Sequence, residues 1–321
     1  MKKFTSYSWI SSAGALNELL DKWKENNITS IAVDFEGEFN LHIYGEHLCL
    51  VQIFDGKDFY LIDPFCVSAE ELKLLFENPK LEKIWFACSS DANLLWKKYQ
   101  IRLVGVYDLA IEQKILGLTG NLLALESMFN LNNPEEANKK KNQKSNWLIR
   151  PLPEEQIEYA LSDVAYLFEI KKNLDKMATE TGKMKEVVAA MKNAVNIKTE
   201  YVPGYTKLPG YRRMKNDQRI RVKHLFFARE KLAEEFNKPP FQILDKRILS
   251  DLSGKSFMTE SMLYKFNCAL CVIGIKRRLI IFWNKYLVHC KILLISTKYR
   301  DILPYFFINV KVNSNLLINF T

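Results

Sequence analysis

Five residues in three short segments carry the groups with which this chain could do chemistry. They are Asp34 and Glu36 in Ala32-Val33-Asp34-Phe35-Glu36-Gly37, Asp91 in Ser89-Ser90-Asp91, and Tyr159 with Asp163 in Glu158-Tyr159-Ala160-Leu161-Ser162-Asp163-Val164. Each carboxylate lies beside apolar residues of the kind that build a core. Burying an unpaired carboxylate is costly because its charge must be desolvated. Several in one place repel one another unless a cation neutralises them. The pattern therefore predicts a divalent metal site. Oxygen donors alone suit Mg²⁺ or Mn²⁺ rather than zinc or copper. Two such ions about 3.5–4 Å apart form the clamp used in phosphodiester cleavage, one helping to make hydroxide and the other steadying the leaving 3′-oxygen. An ordinary phenol titrates near pH ~10 and is a poor base, so Tyr159 is assigned to holding the attacking water by a hydrogen bond.

The elements that must present these groups are legible in outline. Leu16, Leu19, Leu20 and Trp23 recur at helical spacing between Ser12 and Asn26. Residues 31–35 read as a buried strand, on which Asp34 and Glu36, two apart, point to one face. Strands over 48–54 and 59–62, joined through Asp55-Gly56, read as a hairpin. Ser68-Ala69-Glu70-Glu71 is a capping box, and Lys83 to Phe86 is a further strand. Helices are expected from Ser90, Leu109, Leu122 and Pro153, with Pro153 in the first turn of the last. Asp91 then starts a helix after a strand, and Tyr159 and Asp163, four apart, share a helix face. A hairpin followed by alternating strands and helices predicts an α/β fold with a mixed sheet flanked by helices. Residues 132–150, with Lys139-Lys140-Lys141 and Lys144, read as a polar basic loop. Pro203, Gly204, Pro209 and Gly210 mark a linker, after which helices are expected over 217–236 and 246–252.

Taken singly, each acidic segment has a plainer reading: a solvated strand face, a helix-start Asp, an ordinary helix pair. In order, they resemble the Exo I, Exo II and Exo III motifs of the DEDD exonuclease superfamily in its tyrosine-containing branch, and the ribonuclease D family above all. Lys144-Ser145-Asn146-Trp147-Leu148-Ile149-Arg150-Pro151-Leu152 resembles the stretch ahead of Exo III. The resemblance implies a ribonuclease-H-like fold over residues 1–195, with the motifs inside 30–170. It implies stepwise 3′→5′ release of nucleoside monophosphates from RNA 3′ ends, including tRNA and other structured RNA. It also implies two Mg²⁺ or Mn²⁺ ions on Asp34, Glu36, Asp91 and Asp163, with Tyr159 as the fifth catalytic residue. Substrate contacts are expected from Phe35, Lys144, Trp147 and Arg150. Phe86 stands where the family commonly has His, and Asn146 where it commonly has Asp. Asp108 matches a recurrent family position and reads as a supporting or helix-capping residue. After a linker over 196–214, Phe227-Ala228-Arg229-Glu230-Lys231-Leu232-Ala233, Pro239-Pro240 and Ile243-Leu244 resemble the HRDC module, a helical nucleic-acid-binding domain, here a partial one over 215–262.

Composition adds limits. The chain has 321 residues, enough for two domains, and a formal charge of +9. Residues 264–321 hold nine Lys/Arg against Asp301 alone, and the remainder balances 37 basic residues with 36 acidic ones. Net charge is thus no argument for nucleic acid. The tail over 263–321 is basic and apolar without a steady period, and reads best as out-of-frame translation, the others being a helical extension and a membrane-surface segment. Of six cysteines, Cys49, Cys66 and Cys88 are expected to be buried free thiols, and Cys268-x-x-Cys271 lacks a second pair for zinc. No apolar run reaches the roughly 18–20 residues of a membrane helix and no secretory signal opens the chain. A cytoplasmic protein with no membrane association and no obligate protein partner is expected. The competing functions are the same chemistry on DNA and a decayed nuclease that only binds nucleic acid.

Overall fold

The computed structural model describes residues 6–131, 144–195, 197 and 202–254. The expectations for lysines 139–141, for Cys268 and Cys271, for residues 255–262 and for the tail lie outside them. The chain divides into two compact units, Met1–Pro203 with Ala233–Pro240, and Gly204–Leu232 with Phe241–Thr321.

The first unit is built on six strands, β1 Ser8–Ile10, β2 Ser30–Phe39, β3 Glu46–Phe54, β4 Phe59–Ile62, β5 Glu82–Trp85 and β6 Val106–Asp108, in the order β1-β4-β3-β2-β5-β6. Strand β3 is antiparallel to β2 and β4, and the other neighbours are parallel. The expected mixed sheet is therefore present. The edge strands β1 and β6 escaped the sequence reading because three residues are too few to show a period. Strand β2 also runs past Phe35. Glu36-Gly37-Glu38 looks like a strand end, yet pairing with β3 continues to Phe39 opposite Glu46. The register slips where Glu36 faces Leu50 and Gly37 faces Leu48, so Cys49 is the extra residue of a β-bulge. Space at Gly37 is tight: a Cβ there would meet the Phe39 ring at 2.6 Å and sit 3.2 Å from the His47 carbonyl oxygen.

Helices cover both faces of the sheet. Helices α1 Ala13–Glu25, α2 Ala69–Phe76 and α3 Ser89–Tyr99 pack Leu16, Leu19, Leu72, Leu75, Phe76 and Leu95 against Val33, Phe35, Val51, Ile53 and Trp85. The Ser12 hydroxyl caps α1 by accepting from the Ala15 N–H, and Glu71 in the first turn of α2 accepts from the Ser68 N–H at 2.8 Å. On the opposite face are α4 Leu109–Ile115, α5 Leu122–Met128, α6 Glu154–Ala165, α7 Leu167–Glu180 and α8 Met184–Met191. Here Ala32, Ile84, Leu50 and Leu61 meet Leu109, Val164, Leu167, Ile170, Ala160 and Leu161. Removing each such aliphatic side chain from water contributes about 1.5–3 kcal/mol. Pro153 stands just outside α6, at its cap position with ψ 148°, rather than in its first turn. Of the three cysteines expected to be buried, Cys49 and Cys88 are, whereas Cys66 is exposed, because it lies in the loop between β4 and α2.

The second unit is helical among its described residues. Two 3₁₀ turns, Gly204–Lys207 and Tyr211–Arg213, precede α9 Asn216–Glu235, then α10 Pro240–Ile243 and α11 Lys246–Ser253. Its buried residues include Val222, Leu232, Ile243, Leu244, Leu249 and Leu252. The Asp245 carboxylate caps α11 through the Arg247 N–H at 2.7 Å.

Candidate metal centre

Strand periodicity puts Asp34 and Glu36 on the sheet face covered by α6, and helical periodicity puts Tyr159 and Asp163 on one face of α6, which packs on β2 and β3. The two elements bring oxygens of Asp34, Glu36 and Asp163 within 4.8 Å of one another. Asp91 is not part of that tight group. It sits in the first turn of α3, where the helix N-terminus favours a negative charge, and its Oδ2 accepts from the Trp85 indole N–H at 2.9 Å. It is near enough for its charge to act on Glu36.

The electrostatics express this crowding. Glu36 is held well above the usual carboxylate range, first by burial and then by the charges of Asp34, Asp163 and Asp91. Asp91 is pushed up to about 7 by burial, against the lowering effect of the Trp85 hydrogen bond and with the help of Asp108. Tyr159 is buried, and burial and then the Asp163 charge push its phenol far above its ordinary value. The phenol thus stays protonated and can donate a hydrogen bond. Oxygen-only donors, converging, partly desolvated and mutually repelling, fit a hard divalent cation.

Asp108 supports this arrangement. Its carboxylate accepts from the Ala87 and Cys88 N–H groups at 2.9 and 3.0 Å, and from the Ala110 N–H at 2.9 Å as the cap of α4. It thereby fixes the turn from β5 into α3, which passes through Ala87 at φ 61°, a conformation rare for a residue with a Cβ. Asp91 follows three residues after Cys88.

The expected substrate contacts fare differently. Lys144 is exposed. Phe35 alternates with the acids and so points to the other face, where it packs edge-on against Phe76 and Trp85 at 5.3 and 4.8 Å between ring centres. Trp147 is only 1% exposed and lies behind Tyr159 with ring centres 6.0 Å apart. Arg150 has five N–H donors, and five hydrogen bonds engage them. Two go to the buried Asp63 at 2.7 and 3.0 Å, and three go to the carbonyls of Cys49, Trp147 and Ile149. The Cys49 carbonyl belongs to the bulge residue, so Arg150 takes a group that the ladder does not hold in register. Phe35 thus lies on the sheet face away from the acids, Trp147 is covered, and every Arg150 donor is engaged within the protein.

Two residues of the neighbourhood gave no usable signal in the sequence. Asp63 is one, since its partner lies 87 residues away. Glu38 is the other. It shares the strand parity of Asp34 and Glu36, but its buried carboxylate accepts from the Leu41 and His42 N–H groups and meets His42 Nδ1 at 2.8 Å. It ties down the β2–β3 loop, with His42 as its side-chain partner.

Comparison with known proteins agrees with this geometry. A family model described as 3′–5′ exonuclease matches residues 7–179. Exosome complex exonuclease RRP6 of Saccharomyces cerevisiae is 30% identical over 198 residues, covering 60% of this chain and 26% of the relative. Ribonuclease D of Pseudomonas paraeruginosa is 25% identical over 251 residues, covering 76% of this chain and 65% of the relative. The chain thus spans less than two thirds of these relatives. The crystal structure of Escherichia coli RNase D, described as an exoribonuclease involved in structured RNA processing, shares the fold with a TM-score of 0.66 at 22% identity, covering 89% of this chain and 74% of that one.

Proposed function

The chain belongs to the 3′–5′ exonuclease family, and from that premise we propose that it is a metal-dependent exoribonuclease that removes nucleoside monophosphates stepwise from RNA 3′ ends. The observation that carries the reading is the convergence of Asp34, Glu36 and Asp163 within 4.8 Å beside a buried, protonated Tyr159. Two divalent ions, Mg²⁺ or Mn²⁺, held by these three carboxylates and Asp91, would supply hydroxide near neutral pH and neutralise charge developing on the phosphate and the leaving 3′-oxygen. Tyr159 donates its hydroxyl to the attacking water and fixes its line of approach. Asp108 positions Asp91 through the β5–α3 turn. Arg150 and Trp147 hold the wall behind Tyr159, and Lys144 is the one expected contact left open to a phosphate backbone.

The RNA preference, and tRNA or other structured RNA as substrate, are supported by the relatives named ribonuclease D and by the RNA-processing description of the Escherichia coli structure. The helical second unit is assigned as the HRDC-like domain, an auxiliary nucleic-acid surface. Action without an obligate protein partner is proposed. No helix among the described residues is long and apolar enough to cross a membrane, and a cytoplasmic location is proposed. The test is to incubate the protein with a 3′-tailed RNA and the matching DNA in Mg²⁺, Mn²⁺ or EDTA. Metal-dependent shortening of the RNA, lost in Asp163→Ala with folding intact, is expected. Shortening of DNA alone would reassign the substrate, and no shortening of either strand would end the nuclease reading.

A further inference from the structure

Gln52 is the one polar residue that β3 places directly opposite the metal-binding strand segment. It faces Asp34 across the β2–β3 ladder, while its neighbours on the same face, Leu50 and Phe54, sit opposite Glu36 and Ala32. Its side chain has no exposed surface, and neither Nε2 nor Oε1 has a hydrogen-bond partner. A buried amide left unpaired costs about 1–3 kcal/mol. A leucine or methionine there would extend the apolar packing of Leu50 and Leu61 without that cost. Directly opposite residues of an antiparallel pair have Cβ atoms about 4.5–5.5 Å apart, so the Gln52 amide can reach the Asp34 carboxylate.

We propose that Gln52 is a positioning residue for the metal centre: its amide N–H, opposite Asp34 on the ladder, would hold the Asp34 carboxylate in the orientation that binds the cation. The inference rests on the metal-dependent reading given above. Carboxylates that bind metal are themselves held by hydrogen bonds, and losing such a partner typically costs about 10–100-fold in metal affinity or activity.

The test separates positioning from packing. Gln52→Met keeps the volume and removes the polar atoms. Mn²⁺ binding to the whole protein is followed by the loss of the free-ion EPR signal, and thermal unfolding is followed in EDTA. The expected result is Mn²⁺ affinity weakened about 10–100-fold, with an EDTA midpoint equal to or above that of the parent. A packing residue would give the reverse, a lower EDTA midpoint with Mn²⁺ affinity unchanged, and that outcome overturns the proposal. Should Gln52→Met not fold, Gln52→Asn, which retracts the amide by one methylene, is expected to weaken Mn²⁺ binding in the same direction, and unchanged affinity there is equally fatal. A parent protein that binds Mn²⁺ yet shortens no nucleic acid would sink the nuclease reading and leave this one standing.

Discussion

In the absence of metal, stability should fall as pH rises through neutrality, and a divalent cation should abolish that fall. Asp91 is raised from an ordinary 3.8 to about 7, and Glu36 is raised in the same direction by burial and its acidic neighbours. Both carboxyls bind protons more tightly in the folded chain than in the unfolded one. The stability linked to them is fully present below the unfolded value near pH ~4 and is lost as pH rises through the folded value. Three pKa units correspond to about 4 kcal/mol at 1.36 kcal/mol each. Asp91 is partly exposed, which places its share at about 2–4 kcal/mol, and Glu36 adds to it. For a unit of this size about 2–4 °C accompany each kcal/mol, so the EDTA midpoint should drop by on the order of 10 °C between pH 5 and pH 8. The assay is thermal unfolding across that range in EDTA and in saturating Mn²⁺. With Mn²⁺ the cation replaces the protons and the profile should flatten. Glu36→Gln and Asp91→Asn should each flatten the EDTA profile and raise the midpoint at pH 8. A midpoint in EDTA that stays level or rises with pH, or an identical decline with Mn²⁺, would show that Glu36 and Asp91 do not take up protons on folding.

Arg150→Met leaves Asp63 buried without its cation and strips the Cys49 and Trp147 carbonyls of their donor; urea unfolding should show a loss of about 3–5 kcal/mol. Full stability combined with a raised KM for RNA would instead make Arg150 a substrate contact. Asp108→Ala removes the acceptor of three backbone N–H groups and should cost about 1–2 kcal/mol as a lost cap, while kcat at saturating Mn²⁺ falls because Asp91 loses its seat; an unchanged kcat would dissociate the β5–α3 turn from catalysis. Tyr159→Phe keeps the ring against Trp147 and deletes the donor, so it should slow turnover less than Asp163→Ala without altering Mn²⁺ affinity, as single-turnover rates and Mn²⁺ titration would reveal.

The acidic set was legible because its geometry follows from local periodicity. Two residues apart on a strand and four apart on a helix fix relative direction whatever the rest of the chain does. The same rule turns Phe35 away from Asp34 and Glu36, although a substrate contact was expected of it. Asp91 was readable as a helix-start residue, but its separation from the tight trio depends on where β5 ends and on the indole of Trp85. Strands β1 and β6 were invisible because each is three residues long and owes its existence to the neighbour it pairs with. The Arg150–Asp63 pair joins positions 87 apart in sequence, and no local pattern encodes such a meeting.

A physical division runs through these residues. The groups proposed to touch the cation lie on two regular elements and at the start of a third, and two of them, Glu36 and Asp91, resist ionising where they sit, while Gln52 beside them has no partner. The groups that hold those elements are satisfied. Arg150 uses every donor, Asp108 caps one helix and stitches the turn into another, and Glu38 closes the β2–β3 loop. Hydrogen bonds to ionised groups are worth about 1.5–3 kcal/mol each. Several around one site give the framework enough stability to keep repelling carboxylates together without a cation. Unsatisfied groups facing one point, enclosed by satisfied ones facing the backbone, mark where binding energy is to be gained. On that ground the centre is preformed, and adding a cation should tighten the acidic set without moving β2, α3 or α6.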